Sequence, residues 1–202
     1  MIFKKLSLQE NFYVLYVYFI LLGIVSDALF YAVLGVQYLN YVSILDALIS
    51  PFSLLTDSLK LTLALVICFF LLYKYVTKWS YALHKKHKHK KWYGKIHNIE
   101  RREKAFKDIE DKKGLAEGLL FVFFILFVSL RLGMGLGKNY KIKTKEIKPN
   151  YKLIFKDNSQ KNVQVIGQNS SFIFYVEQKE KVVSVTPISD NIKQIKSIPK
   201  KD

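Results

Sequence analysis

Apolar residues are concentrated in three long stretches of the first two thirds of the chain. The first covers residues 12–36 and contains Asp27 as its only charged residue. The second centres on residues 61–73, and the third on residues 119–130, in which Ser129 is the only polar residue. A helix that crosses a bilayer needs about 20 mostly apolar residues. With their flanking residues, the stretches predict about three transmembrane helices.

The first stretch continues in a less apolar form to residue 55, and two interpretations of this continuation stay open. Polar residues such as Gln37, Asn40 and Asp46 recur in it too often for a second helix that faces lipid. We therefore favour one long span followed by an interfacial helix at residues 43–50. The alternative is two short spans.

A cleaved signal peptide is a further interpretation of the N-terminal stretch. Lys4 and Lys5 precede the apolar run, and Ser26-Asp27-Ala28 offers small residues at the positions that a signal peptidase reads. Apolar character resumes at once after this point and continues to Val36. This continuation favours an anchor that is retained.

The positive charge of the chain, formally +16, is unevenly distributed and predicts a topology. Of the 32 lysines and arginines, 14 lie in residues 74–113 and 14 follow residue 137, but none lies in residues 12–58. The positive-inside rule places the basic loop in the cytoplasm and the loop after the first span outside. One further span then places the C-terminal region outside. The lysines directly after the third span oppose this placement, but that apolar segment is too short to enter and leave on one side.

The predicted cytoplasmic loop, residues 79–114, combines lysines with aromatic residues. Each basic residue near an anionic membrane surface contributes about 1 kcal/mol of attraction. The loop also contains three histidines, His84, His87 and His89. The lysines among them repel a divalent cation, and the spacing of the histidines matches no standard zinc pattern. We therefore predict no metal and no cofactor. Nucleic acid is a disfavoured partner because no nucleic-acid module surrounds the loop. The predicted residues for binding anionic lipid or a partner are Lys85, Lys86, Lys88, Lys90, Lys91 and Trp92.

Asp27 and Arg131 are charged residues inside predicted membrane helices. Counted from Asn11 and from Leu115, each lies 16 residues along its helix, which corresponds to a depth of about 24 Å. Equal depth permits an intramembrane ion pair, and separate extension of both side chains toward polar surroundings is an equal alternative. A third interpretation places Asp27 in an ion or proton pathway.

After residue 137 the periodicity changes from helical to alternating, which predicts a small all-β domain, an SH3-like barrel or a meander. The domain lacks His, Cys and paired carboxylates, so we predict no catalytic residue there and expect it to bind a partner through Phe172, Phe174 and Tyr175. One face of the third strand should carry Phe172, Phe174 and Val176, and the other Ile173 and Tyr175. The predicted strands are residues 151–155, 163–166, 172–176 and 182–185, with 140–145 as a leading strand.

The C-terminal region also resembles the β tail of small bacterial membrane proteins with several spans. The similarity lies in residues 165–175, residues 182–187 and Asn191-Ile192. It carries no activity with it, and it implies a bacterial inner membrane.

These predictions divide the chain into five segments and indicate a class of function. Candidate nucleophiles, bases and metal ligands do not converge anywhere along the sequence. We therefore predict a non-enzymatic membrane protein that acts in interaction, sensing or as a scaffold. It would be either a homo-oligomer or a subunit of a larger bacterial membrane or defence complex. The alternative is an oligomeric ion channel with Asp27 in its pathway. The segments are a first transmembrane helix with an interfacial segment (1–58), a second transmembrane helix (59–78), the basic loop (79–114), a third transmembrane helix (115–137) and the β domain (138–202).

Overall fold

The computed structural model describes residues 7–57, 59–110, 115–178 and 180–199. Within these residues the protein is mostly helical and ends in an antiparallel β-sheet, which confirms the fold class in outline. Lys4 and Lys5, on which the signal-peptide interpretation depends, lie outside the described residues.

Helices dominate the chain up to Lys143. Two of them, Leu8–Val33 and Ala116–Lys143, are long and apolar enough by length and composition to cross a membrane. In order, the helical elements are α1 (Leu8–Val33), a 3-10 turn (Tyr38–Asn40), α2 (Ile44–Asp57), α3 (Leu59–Lys74), a π-helical turn (Tyr75–Trp79), α4 (Ser80–His87), α5 (Lys91–Ile96), α6 (Ile99–Glu110) and α7 (Leu115–Lys143).

Polar side chains cap the N-terminal ends of α1 and α2, and a glycine follows the C-terminal end of α1. Ser7 and Glu10 form a capping box at α1, because Glu10 N donates to Ser7 Oγ at 3.3 Å and Ser7 N donates to Glu10 Oε2 at 2.7 Å. Ser43 and Asp46 form the same arrangement at the start of α2, with both hydrogen bonds at 3.1 Å. Gly35, with a φ of +79°, ends α1 in the left-handed conformation that a residue with a Cβ adopts only at a cost.

The sheet has the strand order β4-β3-β2-β1-β5, and all neighbouring strands are antiparallel. The first four strands form a meander, and the fifth returns to pair with the first. A single helical turn, α8 (Ile188–Asn191), connects β4 with β5. The strands are β1 (Tyr151–Phe155), β2 (Gln160–Gln168), β3 (Phe172–Glu177), β4 (Ser184–Pro187) and β5 (Ile192–Ser197).

One local prediction beside this sheet was wrong, and one strand of the sheet was missed. The segment 140–145, predicted as a leading strand, belongs largely to α7, which continues through Gly133, Gly135 and Gly137 to Lys143. The last strand, β5, was not predicted, because the isoleucines after Pro187 also fit helical spacing.

The chain forms two compact units, each discontinuous in sequence. Unit 1 comprises the described residues of 1–17 and 52–126, and unit 2 those of 18–51 and 127–202. In unit 1, α3 and α7 are in contact through Phe69 and Phe123, whose ring centroids lie 6.0 Å apart.

Unit 2 contains two hydrophobic clusters, one on each face of the sheet. The helix-end core combines residues from the end of α1, the following loop, the end of α7 and one face of the sheet. The second cluster lies on the opposite face. The alternation predicted for the third strand is confirmed, because Phe174 and Val176 belong to the first cluster and Ile173 and Tyr175 to the second. The buried residues of the helix-end core are Phe30, Tyr31, Leu34, Val36, Tyr38, Ile142, Ile147, Ile166, Phe174, Val176 and Val183.

Candidate functional site

The structure brings the two predicted intramembrane charges together. Arg131 of α7 donates from Nη2 to Asp27 Oδ1 of α1 at 2.7 Å and from Nε to the same oxygen at 2.9 Å. Ser50 of α2 donates to the other carboxylate oxygen of Asp27. Only 3% of Asp27 is exposed. Both oxygens of this buried carboxylate therefore have donors, as a buried charge requires.

The charge of Arg131 is also compensated by an aromatic ring. Its Cζ lies 3.9 Å from the ring centroid of Phe30, which is fully buried. A desolvated contact between a cation and an aromatic face is worth about 2 kcal/mol. The cluster of Asp27, Ser50, Phe30 and Arg131 thus joins side chains of α1, α2 and α7.

A close backbone contact brings α2 against α1 beside this cluster. A Cβ on Gly23 would lie 1.8 Å from the carbonyl oxygen of Ala47, so a residue other than glycine cannot be accommodated without movement of the backbone. Ala47 is fully buried. The segment 43–50, predicted as an interfacial helix, lies largely in α2, and its Ala47 packs against α1.

An aromatic stack connects the sheet to the loop that follows α1. The rings of Tyr31 and Tyr38 are parallel within 5° at 4.7 Å, and the ring of Phe174 lies 4.5 Å from Tyr31. On the sheet, Gly167 permits this approach, since a Cβ there would be 2.3 Å from the Tyr31 hydroxyl. Tyr41 meets Phe172 edge to face at 5.1 Å.

Hydrogen bonds at the edge of the aromatic stack join the turn between β2 and β3 to the loop after α1 and to the start of α2. Asn169 Nδ2 donates to the carbonyl of Tyr41 at 2.8 Å. Ser170 donates from its backbone N to Asp46 Oδ1 at 3.0 Å and from its Oγ to Oδ2 at 3.1 Å. Burial raises the pKa of the Asp46 carboxyl, but the hydrogen bonds from Ser43 and Ser170 outweigh burial and hold the pKa below its ordinary value. We call Tyr41, Asp46, Asn169 and Ser170 the rim clamp.

The three β-domain residues predicted to bind a partner lie in or against the two clusters of unit 2. Phe174 and Tyr175 are buried, and Phe172 is half-buried against Tyr41. Phe174 and Tyr175 belong to the two clusters of unit 2, and Phe172 packs against the first of them. The alternating pattern identified which residues are apolar, but it could not show that α1 and its loop cover one face of the sheet.

In unit 1, the basic loop folds into an ordered helical segment, α4 to α6, which we call the basic hairpin. Its centre is His84, which is 3% exposed and whose Nδ1 lies 3.2 Å from the Tyr93 hydroxyl. Arg102 donates to the Tyr93 hydroxyl and, at 3.4 Å, to Ser80 Oγ. Glu103 Oε1 lies 3.8 Å from His84 Nε2. A polar and aromatic centre therefore takes the place of an apolar core.

The predicted lipid-binding residues lie on the outside of the basic hairpin where the structure describes them. Lys85, Lys86, Lys90 and Trp92 are exposed, and Lys88 Nζ lies 3.4 Å from Glu103 Oε1. Lys91 begins α5, and its side chain lies outside the described residues.

Metal ligands do not converge in the described part of the chain. Among its residues, no group of three or more His, Cys, Asp or Glu side chains could hold a metal ion. Two of the three clustered histidines have other contacts: His84 lies in the centre of the hairpin, and the His87 ring nitrogen lies 3.0 Å from the carbonyl of Leu83.

The sequence did not reveal the rim clamp or the role of Lys138. Asp46 and Ser170 are 124 positions apart, and the only local signal was the capping box of α2. Lys138, one of the lysines that oppose an external C-terminal region, donates to the carbonyl of Ile166 at 2.9 Å.

Comparison with known proteins gives no family for this chain. No family model, no curated protein and no solved structure matches it.

Proposed function

We propose that this protein is a non-enzymatic integral membrane scaffold or interaction subunit that holds a small β-sheet against the outer ends of its membrane helices. The helix-end core carries this proposal. It joins the end of α1, the end of α7 and the sheet in one hydrophobic cluster, so the sheet and both helix ends pack as one body. We place the protein in a bacterial inner membrane on the resemblance of its C-terminal region.

The outward-facing apolar surface of the helices supports insertion in a membrane. Only 22% of the apolar window of α1 and 11% of that of α7 is buried within the protein. Large side chains such as Phe12, Leu21, Phe121 and Ile125 are exposed on these helices. Monomeric soluble proteins rarely expose apolar patches of this extent, and lipid would cover them.

The proposed topology has three crossings, formed by α1, α3 with its π-helical turn, and α7. α3 alone has 16 residues, and the five residues of the π-helical turn bring it to the length of a span. The loop after α1 has no lysine or arginine, so the charge rule places it outside. Since the sheet shares a core with this loop, the same rule supports an external sheet and a cytoplasmic basic hairpin.

Cysteine accessibility tests this topology. In a Cys68→Ser background, which removes the only cysteine of the chain, single cysteines would be introduced as Asn40→Cys, Lys196→Cys and Lys85→Cys. A membrane-impermeant maleimide should label positions 40 and 196 in intact cells, and position 85 only after permeabilisation. Labelling of positions 85 and 196 from the same side would overturn the proposal.

We further propose that the sheet is an SH3-like barrel whose outer surface, together with the basic hairpin, contacts partners. The return of β5 to the edge of β1 after a one-turn helix supports this fold. Candidate partners are anionic lipid at the hairpin and either a protein subunit or a second copy of the chain at the sheet. Crosslinking followed by mass spectrometry of the complex extracted from its membrane would identify a protein contact. A monomer without crosslinked neighbours would contradict the scaffold role.

The channel alternative is less well supported by the surroundings of Asp27. A pathway residue needs a face open to the permeating ion, whereas Asp27 already accepts hydrogen bonds from Arg131 and Ser50. We expect no ion flux in liposomes from either the native protein or Asp27→Asn. Flux that Asp27→Asn abolishes would favour the channel.

A further inference from the structure

A groove runs along one face of the π-helical turn and of α4, which follows it. It has a volume of about 340 Å³ and is lined by Tyr75, Trp79, Ala82, Leu83 and Lys86. Except for the adjacent pair at 82 and 83, successive residues of this set are three to four positions apart, so they share one helical face. We call this feature the interfacial groove.

The groove begins at the π-helical turn. The backbone N of Ser80 donates to the carbonyl of Tyr75, five residues earlier, which gives this turn its wider geometry. Single π-turns within helices are frequently found at functional sites. Tyr75 and Trp79 lie in this turn, and Leu83 and Lys86 follow in α4.

One end of the groove carries positive charge. Lys86 closes the end that lies farther from α3, and Lys85 beside it is exposed. The sequence has no aspartate or glutamate between residues 58 and 99. Glu103 of α6 lies 3.4 Å from Lys88. An anion at Lys86 therefore meets attraction without a competing carboxylate on this helix.

We propose that the interfacial groove binds one anionic phospholipid, with its phosphate at Lys86 and an acyl chain along Leu83, Trp79 and Tyr75. This inference rests on the proposed function, since it requires α3 to lie in the bilayer and α4 to emerge from it. Lys86 lies eleven positions after Tyr75, about 16 Å along a helix, which suits the upper part of an acyl chain. Tyr and Trp are enriched at this depth of a membrane.

The test uses Trp79 as a fluorescent reporter of its lipid neighbours. The chain has two tryptophans, so Trp92→Phe leaves Trp79 as the only one. The full chain would be reconstituted in two sets of phosphatidylcholine vesicles. One set contains brominated phosphatidylglycerol, and the other contains brominated phosphatidylcholine at the same fraction. Brominated phosphatidylglycerol should quench Trp79 several-fold more strongly than brominated phosphatidylcholine.

Lys86→Gln should lower this preference about fivefold, the factor that ~1 kcal/mol per lysine represents. The matched control is Lys196→Gln, which removes an exposed lysine of β5 and should leave the preference unchanged. Glycerol phosphate added to the vesicles should not reduce quenching, because it lacks the chain that occupies the groove.

Equal quenching by the two lipids would overturn the inference, as would displacement by glycerol phosphate, which would indicate a site for a free phosphate. Carbonate extraction of the same membranes separates this failure from failure of the proposed function. A protein that resists extraction but shows no headgroup preference contradicts only the groove. Release by carbonate contradicts membrane integration itself.

Discussion

At the scale of single residues, the ion pair of Asp27 and Arg131 should behave as a coupled unit. Removing one partner of a buried pair leaves an uncompensated charge and typically costs 3–5 kcal/mol, so we expect Asp27→Asn and Arg131→Gln each to destabilise the protein by about 3 kcal/mol. The double variant should cost less than the sum, because neither charge remains. Thermal unfolding in detergent measures the three changes, with Lys196→Gln as a surface control. Strictly additive effects would show that the two residues act separately.

Gly23 offers a second prediction at this scale, with a matched control on α7. Gly23→Ala places a Cβ 1.8 Å from the carbonyl oxygen of Ala47, and overpacking of this kind typically costs 1–3 kcal/mol. Gly133→Ala introduces the same methyl group within a helix where nothing lies within 4 Å. We expect a lower melting temperature for the first variant and an unchanged or higher one for the second. Equal effects would contradict the close contact of α1 with α2.

At the scale of elements, the rim clamp predicts a dependence of stability on pH. Hydrogen bonds from Ser43 and Ser170 lower the pKa of Asp46 from 3.8 in the folded protein despite burial. A lowered folded pKa contributes stability above the unfolded pKa, and this contribution is lost as the pH falls through the folded value. The native protein should therefore lose part of its stability below about pH 4.

The variant Asp46→Asn isolates this contribution. It cannot titrate, so the difference in melting temperature between the native protein and the variant should be largest near neutral pH and should shrink as the pH falls below 4. Ser170→Ala keeps the carboxylate but removes one donor, and should give a smaller difference of the same sign. A difference that stays constant from pH 7 to pH 3 would contradict the argument.

The elements also show what the sequence could and could not predict. Uniform apolar runs predicted α1 and α7, and alternation predicted the faces of β3, because both signals are local. The end of α7 was misplaced, because the predicted third transmembrane helix ended at residue 137 whereas α7 continues to Lys143. The sequence allowed a pair between Asp27 and Arg131 only as one of several alternatives. Ser50 and the rim clamp depend on contacts between distant segments, for which one sequence carries no signal.

At the scale of the whole molecule, the sequence predicted a β domain at residues 138–202, and we expect that its sheet is not stable without the helix ends. The sheet belongs to unit 2, which also contains residues 18–51. One face of the sheet, with Phe174, Val176 and Ile166, is covered by Tyr31 and Tyr38 in the helix-end core. Without α1 and its loop, this face would be open to solvent. Burying each large apolar side chain contributes about 1.5–3 kcal/mol, so losing three approaches the whole stability of a small domain, about 5 kcal/mol at the low end.

A fragment of residues 144–202 should therefore fail to fold on its own, in contrast to the same strands in the full chain. We expect the fragment to show poor dispersion of its amide resonances and no cooperative thermal transition. In the full chain, Tyr31→Ala should destabilise the sheet by about 3 kcal/mol, since it removes a large ring from the same core. Val182→Ala is the control, because Val182 is 68% exposed. A monomeric fragment with a cooperative transition would show that the second cluster alone sustains the sheet, and the helix ends would then be a platform for the sheet without being part of its core.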